Sequence, residues 1–214
     1  MLLVNHVIKA IFLIFQPGAA WERVVQAQRS LNFLLMLYLF PMMLIAAVAE
    51  GFGLVEWGKT HADIHRVHKF TAGEALIYEL VCSLLTLLAI LVCAWLIKIL
   101  GTTFHRRHTY KETCTLVVYG LSPMFVLRLV DAFPAINPWI TWGIGIALSI
   151  KVLYQGILLV LQPDMPSAFG LFVMCSLLAV TLTGLVRFLT AWYLAGHIPA
   201  GENFISQLAA KLPF

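Results

Sequence analysis

Two groups of side chains have the type and spacing to do chemistry. The first is His61, His65 and His68, within the stretch HADIHRVH. Spaced four and three apart, they would share one face of a short helix. Three imidazoles so placed can ligate zinc or copper, with Asp63, Glu56 or Glu74 as further donors. The second group is a set of ionisable residues inside otherwise apolar sequence: Glu79, Arg128, Asp131, Lys151 and Arg187. Such residues are expensive in lipid and mark either a polar cavity or a paired network. Arg128 and Asp131 lie three apart on one helix, and Glu79 and Arg187 would meet them at similar depth. As a site, this cluster is a cavity that opens outward to a small anion, a lipid headgroup or protons. As structure, it is an ion-pair network with snorkelling arginines. Lys151 sits deep in its segment with no carboxylate at its level, and the Tyr119 region is its expected surrounding.

The elements that must position these residues are membrane helices. Of 214 residues, 61% are apolar and 11% charged, whereas a soluble domain is about half apolar and a quarter charged. So little polar sequence cannot cover a water-soluble globule. Five apolar runs stand out, at about 31–51, 76–100, 113–133, 139–161 and 169–194. Each reaches the ~20 residues that a ~30 Å hydrocarbon layer demands of a helix. The runs are continuous rather than alternating, and backbone groups in lipid must pair within their own segment, so strands are excluded. The expected fold is all-α: a polytopic membrane protein of five transmembrane helices plus an N-terminal amphipathic interfacial helix. The chain divides into an entry at 1–30, a membrane domain at 31–195 and a short tail at 196–214.

In that entry, Val4, Val7, Ile8, Ile11, Phe12 and Phe15 follow one helical face, and Asn5, His6, Lys9 and Gln16 the other. At ~1.5 Å per residue this helix is too short to cross, which predicts an interfacial helix ended by Pro17. Trp21 is then expected at headgroup depth. A signal peptide with a cleavage site near residues 18–20 is the alternative, and Lys9 interrupting the apolar part argues against it. Seven basic residues (Lys9, Arg23, Arg29, Lys98, Arg106, Arg107, Lys111) fall on one side of the membrane and four (Lys59, Arg66, Lys69, Lys211) on the other. Positive loops favour the cytoplasm, so the N-terminus is expected inside and the C-terminus outside.

The third run carries Tyr119, Gly120, Ser122 and Pro123 in mid-span. Pro123 frees a carbonyl one turn earlier, which Ser122 or the Tyr119 hydroxyl would satisfy, giving a packing kink. Pro41 would kink the first run likewise. In the fourth, Gly143/Ala147 and Gly145/Ser149 form two small-xxx-small pairs, a pattern of close helix packing or self-association. Cys82, Cys93, Cys114 and Cys175 all fall in apolar runs, without a CxxC pair, and read as packing residues. His105 and His108 flank Arg106 and Arg107, a cluster suited to anionic headgroups.

The order of these features resembles a known family. An amphipathic start, then Pro17-Gly18-Ala19-Ala20-Trp21-Glu22-Arg23, then five spans with Tyr119-Gly120-Leu121-Ser122-Pro123 in the third, is similar to the YIP family of Rab-interacting five-span proteins. The resemblance implies a cytoplasmic N-terminus, a C-terminus across the membrane and Trp21, Tyr119, Gly120 and Pro123 as motif residues. In eukaryotic members it also implies contact with prenylated Rab GTPases. Only about thirty residues precede the first span here, a shortness that resembles the bacterial members, so Rab binding is not carried over. A bacterial inner membrane is the expected location, with the early secretory pathway as the alternative.

No Ser/His/Asp arrangement, phosphate-cradling glycine loop or HExxH motif is present in the sequence, which argues against an enzyme. The net charge of +4 comes from loop positives rather than an aromatic-basic groove, so no nucleic-acid partner is expected. No cofactor is expected beyond zinc on the three histidines. The leading expectation is a non-enzymatic scaffold that organises membrane proteins or lipids, its partners being the bilayer, other membrane proteins or a second copy. The alternatives are a small transporter or channel for an ion or lipid, and a metal-dependent membrane enzyme.

Overall fold

In the computed structural model the described residues are 10–60, 67–103, 108–133 and 135–194. Five helices are long and apolar enough to cross a membrane: Phe33–Glu56, Ala72–Thr103, Tyr110–Ala132, Pro138–Leu161 and Pro166–Tyr193. They are called the first to fifth spans below. Their starts are written in local sequence. Thr71 and Glu74 cap the second span, the Glu74 carboxylate accepting from the Thr71 amide at 2.9 Å. Thr109 and Glu112 form a full capping box at the third, and the Asn137 side chain accepts from the Trp139 amide at 2.9 Å to open the fourth, with Pro138 beside it. These side chains satisfy amides that have no partner inside a helix.

The third span is the centre of the bundle. Of its apolar stretch 61% is buried, against at most 44% in the other four. It is also broken. Helix Tyr110–Gly120 ends at Leu121, and a second helix, Ser122–Arg128, starts with Pro123 in its first turn. The kink expected from Pro123 is present, and Ser122 stabilises it by donating to the Val118 carbonyl at 3.2 Å. In the first span, π-helical Phe33–Leu39 precedes helix Phe40–Glu56, so Pro41 falls in the opening turn of the α-helical part. A wider turn leaves room for a ring that has no N–H to offer. A second π-helical stretch, Ile157–Leu161, ends the fourth span.

Of the two small-residue pairs in the fourth span, only one packs inside. Gly145 lies 3.4 Å from the Met124 backbone, measured from an added Cβ, and Ser149 is fully buried. Gly143 has nothing within that reach, and Ala147 is exposed.

The N-terminal entry is helical, in two pieces rather than one. Residues 10–15 are helical, Gln16 breaks the run, and Pro17 begins a second helix, Pro17–Ala27. Pro17 both ends one helix and starts another, because its fixed φ suits a first turn. Ala10, Leu13, Ala20 and Trp21 join the hydrophobic core, while Ile11 and Phe15 point outward. Thus this segment docks mainly through residues other than those its hydrophobic spacing marked, although Phe12 of that face also packs against the core. Residues 1–9, with Val4, Val7, Ile8 and Lys9, lie outside the described residues.

Candidate functional site

Two constellations are built on the third span. The polar one sits at its far end. Arg128 donates through Nε to Glu50 Oε2 at 2.7 Å and through Nη2 to Glu79 Oε2 at 2.6 Å. Its guanidinium thereby ties the first span to the second, and Tyr78 adds a bond to Glu50 Oε1 at 3.3 Å. Asp131 faces the other way, within the single 3-10 turn Leu129–Ala132. It accepts from the Thr141 hydroxyl of the fourth span and lies 3.5 Å from Arg187 Nη2 of the fifth. Two residues of the third span therefore engage all four other spans. Glu50, Glu79 and Asp131 are buried, where an unanswered charge would be costly. Directly behind, the first and third spans meet backbone to backbone: a side chain at Gly53 would strike Ala132.

Beside these pairs lies a cavity of about 90 Å³, lined by Arg128, Asp131, Thr141 and Arg187 together with Phe125 and Trp142. One water needs roughly 10–15 Å³ by this measure, so several fit. Arg187 Nε is buried there with no hydrogen-bond partner among the described residues.

The aromatic constellation lies two to three turns back along the third span. Tyr119 stacks obliquely on Tyr38 with centroids 4.3 Å apart, and takes Trp21 edge-on at 6.1 Å. The Tyr38 hydroxyl lies 2.8 Å from Ser122 Oγ. Since the serine proton goes to Val118, tyrosine is the donor, and the pair forms a relay onto the Val118 carbonyl beside the kink. Trp21 is fully buried within the bundle. Its indole N–H donates to the Val152 carbonyl at 2.9 Å. The ring lies against Gly156, where any larger residue would collide with it and with Leu116. Gly120 makes a similar allowance for Leu153. Trp21, Tyr119, Gly120 and Pro123, four separate sequence positions, thus converge around one junction of the N-terminal helix with the third and fourth spans.

A family model of the Yip1 domain matches residues 11–194. The chain belongs to the Yip1 family. The match begins within the N-terminal helical turn and so makes the docked segment part of the Yip1 domain rather than an appendage to it. No curated protein and no solved structure matches the chain.

Placed on this Yip1 domain, the expected site residues separate. Glu79, Arg128, Asp131 and Arg187 come together, Glu79 answering Arg128 and Arg187 answering Asp131, with the two third-span side chains turned toward different spans. Glu50 completes the cluster and was missed, because it stands at the end of an apolar run and reads there as a flank. Lys151 is not a member. It is exposed, and its ammonium donates to the Ile14 carbonyl at 3.4 Å instead of approaching Tyr119. Of the histidines, His61 and His65 lie outside the described residues. His68 stands in a two-residue strand, Val67–His68, paired antiparallel with Lys59–Thr60, not on a helix. Among the described residues no group of three metal-ligating side chains occurs. His105, Arg106 and Arg107 also lie outside the described residues, while His108 is buried and so is not presented to headgroups. All four cysteines are buried and free.

Proposed function

We propose that this Yip1-domain protein is a non-enzymatic membrane scaffold, which organises other membrane proteins or lipids around a rigid five-span body. The observation that carries this reading is the reciprocal clamp of the third span. Arg128 is answered by Glu50 and Glu79, and Asp131 by Thr141 and Arg187. Charges paired across every span hold helices in place, as a scaffold requires. The excess of basic residues on the N-terminal side supports a cytoplasmic N-terminus.

The cavity beside Arg187 favours a second reading, a small transporter or channel for an ion or lipid. Flux across liposomes separates the two. Purified protein in vesicles is expected to pass no protons, potassium or phosphate above the empty-vesicle rate. A flux that Arg187→Met abolishes, in a variant that still elutes as the intact protein, would sink the scaffold reading. Crosslinking in native membranes followed by mass spectrometry is expected to recover defined membrane-protein neighbours.

A further inference from the structure

The cavity beside the clamp follows the third span from Asp131, near one end, to Leu121 at its middle, ten residues or about 15 Å. Its two halves differ. Around Arg187 and Asp131 the wall is polar, with Thr141 and Thr190, while toward Leu121 it is mainly apolar, with Ile90 and Met124. The hydroxyl and indole protons along it are already engaged. Thr86 donates to the Cys82 carbonyl at 2.7 Å, Thr183 to the Ala179 carbonyl at 2.6 Å, Thr190 to the Arg187 carbonyl at 3.0 Å and Thr141 to Asp131. The Trp142 indole donates to Thr183 at 3.4 Å. Arg187 Nε is the donor left over: it is buried and bonds to no described residue.

The charge of that group is answered already, since Arg187 Nη2 lies 3.5 Å from Asp131. An added anion would be brought against the buried Asp131 carboxylate. A neutral oxygen acceptor satisfies the N–H without that cost. Water alone does not suit the whole space, because a buried water needs about two to four polar partners and the half toward Leu121 is walled mainly by hydrocarbon. At about 90 Å³ the cavity takes roughly six to nine groups the size of a water or a methylene, enough for a carbonyl and part of an acyl chain. The depth matches as well. The fifth span, of 28 residues, is about 42 Å long, and Arg187 lies six residues before its end at Tyr193, about 12 Å from the helix centre. Half of the hydrocarbon layer is ~15 Å, and ester carbonyls head the acyl chains near that boundary. The cavity is also partly open, with Thr183 and Val186 of the least buried span in its wall.

We propose that this cavity holds one acyl chain of a membrane phospholipid, its ester carbonyl accepting from Arg187 Nε and its methylenes lying against Phe125, Met124 and Leu121. The chain supplies the contacts that an empty apolar space forfeits. Seated there, it fills the space that the second, third, fourth and fifth spans leave between them. The site rests on the cavity alone and holds whether the protein is a scaffold or a transporter, because retention of a lipid is measured separately from flux.

The test is native mass spectrometry of the full chain released from nanodiscs of diester and diether phosphatidylcholine in equal amounts. The diether lipid has the same headgroup and chain lengths but no carbonyl. Wild-type protein is expected to retain one diester lipid about tenfold in preference to the diether, the scale of one hydrogen bond from a charged donor. Arg187→Met is expected to remove that preference. Thr86→Phe, which fills the apolar half and leaves the ion pairs untouched, is expected to lower retention of both lipids alike. Equal retention of the two lipids by wild type would overturn the carbonyl site, a result that needs no variant to fold. A preference that survives Arg187→Met would overturn Arg187 as the donor, and undiminished retention in Thr86→Phe would place the lipid elsewhere. If added oleate is retained instead of the diester lipid, the ligand is a free acid and the assignment to a phospholipid ester falls.

Discussion

At one end of the third span, Arg128 and Asp131 reach outward to carboxylates, a hydroxyl and a guanidinium on the four other spans. Nine residues before Arg128, Tyr119 is enclosed by two aromatic rings and has its neighbouring glycine pressed against Leu153. Both regions hold helices together where the hydrophobic effect offers little, because lipid is as apolar as the side chains it would replace. The polar end does so by charges that are safe only in each other's company. The aromatic region does so by shape, with two hydrogen bonds that satisfy carbonyls at a kink and in the fourth span. The first is strong and brittle, the second graded. A loss at the polar end exposes an unanswered charge, whereas a loss in the aromatic region leaves a gap that neighbours partly fill.

Removing one partner should therefore separate the two most clearly at Arg128. Arg128→Leu leaves two buried carboxylates facing each other and is expected to cost about 3–5 kcal/mol. The readout is heating in detergent followed by the monodisperse peak on size exclusion. Adding Glu50→Gln and Glu79→Gln to that variant should restore most of the loss, and a triple variant no better than Arg128→Leu would refute charge as the cause. Trp21→Ala is expected to cost about 3 kcal/mol, as a large ring leaving a core does. Its effect should also appear as faster proteolysis of the N-terminal segment, which Arg128→Leu need not produce. The smallest change belongs to Ser122→Ala, which removes the relay from Tyr38 to Val118. Hydrogen bonds between membrane helices average about 0.6 kcal/mol, so its melting temperature should fall only slightly. A loss as large as that of Trp21→Ala would mean the kink depends on this one hydroxyl.

How much of this was legible in the chain follows from what hydropathy measures. Length and continuity of apolar sequence are read directly by a bilayer, so the five spans were visible, as was the break at Pro123. Partner choice was not. Arg128 and Asp131 stood out as costly residues, but which carboxylate each guanidinium meets depends on helix rotation, which a continuous apolar run leaves unspecified. Glu50 escaped notice because a carboxylate near a span end is cheap when it faces water, and nothing local distinguishes that case from burial. The burial of Trp21 was hidden for a similar reason. An indole suits the interface and also suits a core that offers an acceptor, and that acceptor, Val152, lies 131 residues away. Lys151 makes its contact with a backbone carbonyl, which carries no sequence signature.

That separation of 131 residues between Trp21 and its acceptor has a consequence for biosynthesis. The N-terminal helix leaves the ribosome long before the fourth span exists. At ~5–20 residues per second its docking surface is absent for about 7–26 s. Through that interval three spans can enter the bilayer while the helix has neither Val152 nor Gly156 to receive its indole. The seam closed by Trp21 is thus among the last to form, and chains stalled before the fourth span will carry an unseated N-terminus that proteases and chaperones can recognise.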